Sequence, residues 1–91
     1  MFDFRLSETL QKKMQKLHKK DPMLARAFKR KLEEIVAHDE RTIDTYKNLK
    51  SPLNEFKRIH LTDNFIILFK VYKQDNFIHI TDICHWDKAY T

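Results

Sequence analysis

A chain of 91 residues with 42% hydrophobic and 34% charged side chains builds one core of ordinary globular composition, which excludes collagen-like, disordered and multi-domain architectures. The excess of 18 Lys and Arg over 13 Asp and Glu, a formal charge of +5, lies entirely within residues 1–50. It points either to a polyanion such as RNA or DNA or to a solvated lysine-rich helix surface, and the absence of any glycine excludes glycine-dependent phosphate loops.

Residues 1–6 alternate, with Phe2, Phe4 and Leu6 on one side and Asp3 and Arg5 on the other, the period of a half-buried strand. Ser7 is placed to cap a helix whose apolar stripe is Leu10, Met14 and Leu17, with Lys12, Lys13, Lys16, Lys19 and Lys20 on its other side. Asp21-Pro22 pairs an acidic cap with proline at the first helical position. The second helix then carries Leu24, Phe28, Leu32, Ile35 and Val36 to about His38. Periodicity fades over residues 39–54, which read as a loop. Segments 56–61, 65–73 and 77–85 are rich in Ile, Phe, Val and Thr, and are separated by Thr62-Asp63-Asn64 and Gln74-Asp75-Asn76, residues suited to tight turns.

The expected fold is therefore α+β, a single domain over residues 1–91. An N-terminal strand and a two-helix hairpin precede a three-stranded antiparallel meander, all strands form one sheet, and the helices cover one face. The middle strand of the meander is apolar on both faces and should be central. The longest apolar run, residues 65–69, is far too short to span a membrane. A single cysteine and no visible leader segment fit a cytoplasmic protein.

Simple alternation along the last strand puts Ile78, Ile80, Asp82 and Cys84 toward the core, with Asp82 unexplained. Phe77, His79, Thr81, Ile83 and His85 then line the uncovered face. His60 and His85, at strand ends, would share that surface with Lys47, Lys50, Lys57 and Arg58 near by in the chain. Such a set suits RNA cleavage by its own 2′-hydroxyl. One histidine takes the hydroxyl proton, another protonates the leaving 5′-oxygen, and cations stabilise the phosphorane. The nucleophile is already held beside the phosphate, so the reaction needs no metal or cofactor. The spacing His79-x4-Cys84-His85 matches no usual zinc pattern, and no metal site is assigned. Trp86 and Tyr90 suit either base stacking or pinning the tail to the core.

The stretch Leu49-x6-Phe56-Lys57-Arg58-Ile59-His60-Leu61-x3-Phe65-Ile66-Ile67-Leu68-Phe69-Lys70-Val71, with the ending Cys84-His85-Trp86-Asp87-Lys88-Ala89-Tyr90, resembles the RelE/ParE toxin superfamily of toxin–antitoxin systems. Within it the chain is most similar to the YafQ branch of ribosome-dependent mRNA interferases. The resemblance implies that His60 and His85 are the active-site histidines of the second and last strands. It puts Asn64 where the branch has an aspartate, Phe65 where it has tryptophan, and Lys47 near a loop histidine of the family. Ile66 stands where RelE members carry an arginine, which leaves phosphate contacts to Lys50, Lys57 or Arg58.

By that resemblance the protein is an endoribonuclease toxin acting on mRNA in the ribosomal A site, with His60, His85 and Asn64 as catalytic residues. Lys47, Lys50, Lys57, Arg58, Phe65, Trp86 and Tyr90 would bind RNA, the lysines of the first helix would grip ribosomal RNA, and a cognate antitoxin would cover the site. The alternatives are a ParE-like gyrase inhibitor without nuclease activity and a non-toxic relative that only binds its antitoxin.

Overall fold

In the computed structural model, which describes residues 1–49, 51 and 54–89, seven elements follow one another. They are β1 (Asp3–Leu6), α1 (Glu8–Lys20), α2 (Pro22–Val36), β2 (Lys57–His60), β3 (Phe65–Tyr72), β4 (Phe77–His85) and a short α3 (Trp86–Ala89). The helix boundaries follow from their caps. Ser7 Oγ accepts the Leu10 N–H and an Asp21 carboxylate oxygen accepts the Leu24 N–H, each at 3.1 Å, satisfying a donor that the first turn leaves unpaired. The Asp21 N–H in turn donates to the Leu17 carbonyl at 2.8 Å, so one residue closes α1 and opens α2. Pro22 sits in the first turn of α2, where its missing N–H costs nothing.

The strands form one sheet in the order β1-β4-β3-β2; β2, β3 and β4 are antiparallel neighbours, and β1 lies parallel to β4 at the edge. The helices cover one face. Leu10, Leu24, Phe28 and Ile35 pack with Ile67, Phe69, Ile78, Ile80 and Ile83. Full burial of each such side chain contributes about 1.5–3 kcal/mol. β3 is central, with Ile66 on one face and Ile67 and Phe69 on the other, all fully buried. The layout matches the α+β arrangement that the sequence predicts, and the last strand keeps its expected bounds. Asn76 ends the β3–β4 connection in the left-handed conformation (φ 50°), which asparagine tolerates better than most residues.

One local irregularity corrects the expected facing of β4. Leu68 pairs with Asp82, but the next β3 residue, Phe69, pairs with Ile80, so Thr81 is an extra residue and the strand bulges there. Its hydroxyl donates to the Leu68 carbonyl at 3.1 Å, and its carbonyl accepts the Ser7 hydroxyl at 2.7 Å. An extra residue reverses the alternation beyond it. Ile78 and Ile80 face the core before the bulge and Ile83 faces it afterwards. Asp82 and Cys84 therefore do not face the core. Asp82 meets Lys13 of α1 at 2.7 Å, which explains a carboxylate that simple alternation would bury.

Residues 39–54, expected to be a loop, include a 3-10 turn at Ile43–Thr45 among the described residues, and the loop is anchored by buried Ile43 and Leu49.

Candidate active site at the end of the sheet

β2 and β4 both end on a histidine at the same end of the sheet, on either side of the β3 residues Phe65 and Ile66. Two interstrand spacings separate these strands, about 10 Å. His60 is level with Ile66 and Cys84, on the face that the helices leave open. His85 is level with Phe65, which packs against the core, so His85 lies on the helix-covered side. The shared open surface expected for the two histidines is thus replaced by a site that wraps the end of the sheet. The cause is the Thr81 bulge.

Each histidine has an aromatic neighbour that fixes its surroundings. The His60 ring lies 5.0 Å from the Trp86 ring, and the His85 ring 4.5 Å from that of Phe65. Trp86 stays 39% exposed because α3 turns across the strand end, a turn held by the Trp86 N–H donating to the Asn64 carbonyl at 2.9 Å. The Arg58 guanidinium lies 5.9 Å from the Trp86 ring centre, within cation–π range. His60, Asn64, Trp86 and Arg58 therefore cluster around one end of β2, and Asn64 is exposed in the β2–β3 turn.

The expected phosphate-binding set is not assembled as a whole. Lys47 is exposed on the loop before β2, while Lys50 and Tyr90 lie outside the described residues. Lys57 is turned into the protein. It is 7% exposed, and its ammonium donates to the Tyr46 carbonyl at 3.0 Å and to Asn48 Oδ1 at 2.9 Å, with Asp44 at 3.2 Å. A buried ammonium persists only where such partners replace water, so Lys57 clamps the loop to β2 with its charge satisfied inside the protein. Asp44 also accepts from Lys73 at 2.6 Å, and hydrogen bonds from Lys73 and then Lys57 hold its carboxyl below the ordinary 3.8. Phe65 packs partly into the core and presents its ring to His85.

On the helix-covered side His85 opens into a groove of about 340 Å³ between α1, the start of α2 and the end of β4. Its walls are Lys13, Lys16, Lys20, Leu17, Leu24, Phe65, Ile83, Cys84 and His85. Among the described residues, no group of three or more His, Cys, Asp or Glu side chains is disposed to hold a metal ion. No helix among them is long and apolar enough to cross a membrane.

No protein-family model matches the chain. A curated relative from Methanocaldococcus jannaschii, "Putative toxin RelE4", is 34% identical over 90 residues, covering 99% of this chain and 92% of that protein. The chain belongs to the RelE/ParE toxin superfamily. Solved structures agree in fold. YafQ from E. coli strain BL21(DE3) is similar over the whole of both chains, with a TM-score of 0.72 at 15% identity. A chain of the YoeB–YefM complex from Staphylococcus aureus reaches 0.72 at 15% identity, covering 92% of this chain and 95% of that one.

In this RelE/ParE family member, two features of the sheet end are not evident from sequence. The bulge has no marker in composition, because Thr81 is an ordinary strand residue. The placement of three lysines beside His85 does have a pattern behind it. Lys13, Lys16 and Lys20 recur at three and four residues and so share one stripe of α1. Nothing in the sequence says that this stripe, and not the one through Lys12 and Lys19, faces the last strand.

Proposed function

We propose that this RelE/ParE toxin is an mRNA interferase whose reaction takes place at the end of the sheet, between His60 and His85. The observation that supports it is that β2 and β4 each end on a histidine at one end of the sheet, with Arg58 and Trp86 beside the first. A phosphate lying across the ends of the strands falls between two imidazoles that start about 10 Å apart at the backbone. One imidazole accepts the proton of the 2′-hydroxyl as that oxygen bonds to phosphorus. The other gives its proton to the 5′-oxygen as the P–O5′ bond breaks, leaving a 2′,3′-cyclic phosphate and a 5′-hydroxyl. Arg58 supplies positive charge to the crowded phosphorane, and Trp86 a surface on which a base stacks. Asn64 donates or accepts a hydrogen bond at this end but exchanges no proton.

The resemblance to the YafQ branch supports ribosome-bound mRNA as the substrate and a cytoplasmic location. The YoeB–YefM complex of a structural relative supports a cognate antitoxin as partner. The test is primer extension on a reporter mRNA after induction of the wild type, His60→Ala and His85→Ala in growing cells. Cuts within codons of translated message are expected for the wild type. Each replacement should lower their rate about 10²–10⁴-fold, the usual scale of general acid–base catalysis. Growth arrest with intact message overturns the reading in favour of a gyrase-directed toxin, and no arrest leaves an antitoxin-binding relative.

A further inference from the structure

We propose that the groove between α1 and the end of β4 is a nucleotide subsite. Its lysines Lys16 and Lys20 hold a phosphate, and Phe65 and Leu17 back the base, next to the His85 imidazole. The inference rests on the ribonuclease reading for its biological meaning, but its physical basis is the groove itself.

Two chemistries meet in this groove. The floor is apolar, formed by Leu17, Leu24, Phe65 and Ile83, and one rim is a row of ammonium groups from a single helix stripe. Of those ammonium groups, Lys13 is satisfied by Asp82 at 2.7 Å and by the Ile83 carbonyl at 3.3 Å. No carboxylate among the described residues pairs with Lys16 or Lys20, so two positive charges line the groove without an internal counter-charge. Such a pair of solvated charges is open to an anion. A free phosphate satisfies the lysines but leaves the apolar floor in contact with water. A nucleotide satisfies both, with its anionic group on the rim and its flat base on the floor. The cavity of about 340 Å³ is also within the range of about 300–1,000 Å³ typical of small-molecule sites.

Position favours RNA over an acidic protein segment. The groove ends at His85, and its floor includes the Phe65 ring that lies 4.5 Å from that histidine. A nucleotide seated there meets the His85 imidazole, one of the two groups assigned to proton transfer. The lysines thereby supply, from the helical layer, phosphate contacts that buried Lys57 cannot make. This also gives the bulge a consequence. By turning His85 to the helix-covered side, it joins the last strand's imidazole to a cation row on a different element.

The test is an NMR titration of the full chain with a 2′-O-methyl trinucleotide, which lacks the attacking hydroxyl. The ring resonances of His85 and Phe65 are followed at several salt concentrations. Saturable shifts at both rings are expected. Replacing Lys16 and Lys20 together by alanine should weaken binding at least about tenfold, the scale of removing one charge-assisted hydrogen bond. It should also flatten the logarithmic salt dependence by about 0.7 for each phosphate that the variant no longer neutralises. Replacing Lys12 and Lys19 removes the same charge from α1 outside the groove and should leave the two ring shifts in place.

Equal weakening from the two lysine pairs, or no movement at His85 and Phe65, overturns the subsite. Movement of those rings by a glutamate- and leucine-containing peptide but not by the trinucleotide also overturns it, and assigns the groove to a protein partner. Codon cleavage in cells without groove binding overturns the subsite and leaves the ribonuclease reading standing. Groove binding with intact cellular message supports the subsite and sinks the ribonuclease reading.

Discussion

The two ends of the sheet put the same residue types to different uses. At the β3–β4 hairpin end, cations are matched within the protein: Lys57 and Lys73 share Asp44, and Lys70 meets Glu55 at 3.3 Å. The hydrogen bond to Glu55 holds the Lys70 ammonium above its ordinary pKa of 10.5, as a satisfied ion pair does. At the other end two histidines, Arg58, Trp86 and the lysine stripe of α1 gather around exposed strand termini, and Lys13–Asp82 is the ion pair that joins α1 to β4. Lys57 at the first end is a structural clamp, whereas Lys16 and Lys20 at the second line a groove. The difference is one of surroundings, which residue type alone does not reveal.

Deleting Thr81 has the largest expected effect on the histidine end of the sheet. Without the extra residue, residues 82–85 exchange faces, so Ile83 leaves the core and Asp82 and Cys84 turn toward it. Removing a buried isoleucine side chain typically costs about 2–5 kcal/mol, and a buried carboxylate adds to that. The expected outcome in thermal or urea melts is loss of most of the stability of a domain this small. Thr81→Val is the gentler version. It keeps the residue count and removes the hydroxyl that donates to the Leu68 carbonyl, at a cost of about 0.5–1.5 kcal/mol. A deletion variant that melts like the wild type would mean that the bulge does not set the facing of His85.

Much of this fold is legible in the sequence because the signals involved are local. Ser7 and Asp21-Pro22 mark helix starts through bonds to residues three positions on, and the double-sided apolar run of residues 65–69 marks a central strand. The positions of His60, Asn64 and Trp86 near one another follow from short hairpins. What is not legible depends on contacts distant in the chain. The Thr81 bulge is held by Leu68 and by Ser7, 74 residues away, so alternation read along β4 puts His85 on the wrong face. Lys57 lies in a run of basic and apolar residues that reads as surface. Its burial depends on carbonyl and amide oxygens of a loop with no regular pattern.

Lys57 gives the next largest effect and separates the two ends directly. Lys57→Met keeps much of the apolar stem but leaves the Tyr46 carbonyl and Asn48 Oδ1 without their donor. The expected cost is about 1–3 kcal/mol of stability. At about 4–8 °C of Tm per kcal/mol for a domain of this size, that is readily measured by thermal melts. RNA binding measured well below the Tm should be unchanged. An intact Tm combined with abolished RNA binding would return Lys57 to the phosphate-binding set and erase the distinction between the two ends.

The smallest effect belongs to Asp44, and it concerns pH. Its carboxyl is held below the ordinary 3.8, first by the hydrogen bond from Lys73 and then by that from Lys57. A depressed folded-state pKa means that the unfolded chain binds the proton more readily than the folded one. Its stabilising contribution is therefore fully present above the ordinary carboxylate value and is lost as pH falls through the folded value. Asp44 is 55% exposed, so the contribution stays within the roughly 0–1 kcal/mol of a surface pair. Thermal melts from pH 7 to pH 2.5 should show the wild type losing stability below about pH 4. Asp44→Asn should start slightly lower at pH 7 and decline less steeply over the acid range. Part of the slope should survive in that variant, because Asp39 is also held below 3.8, chiefly by the backbone N–H of Thr42 and then that of Arg41. Replacing both aspartates should remove both contributions. If Asp44→Asn parallels the wild type through the acid range, the hairpin end is not held by this carboxylate, and Lys57 relies on the Tyr46 carbonyl and Asn48 alone.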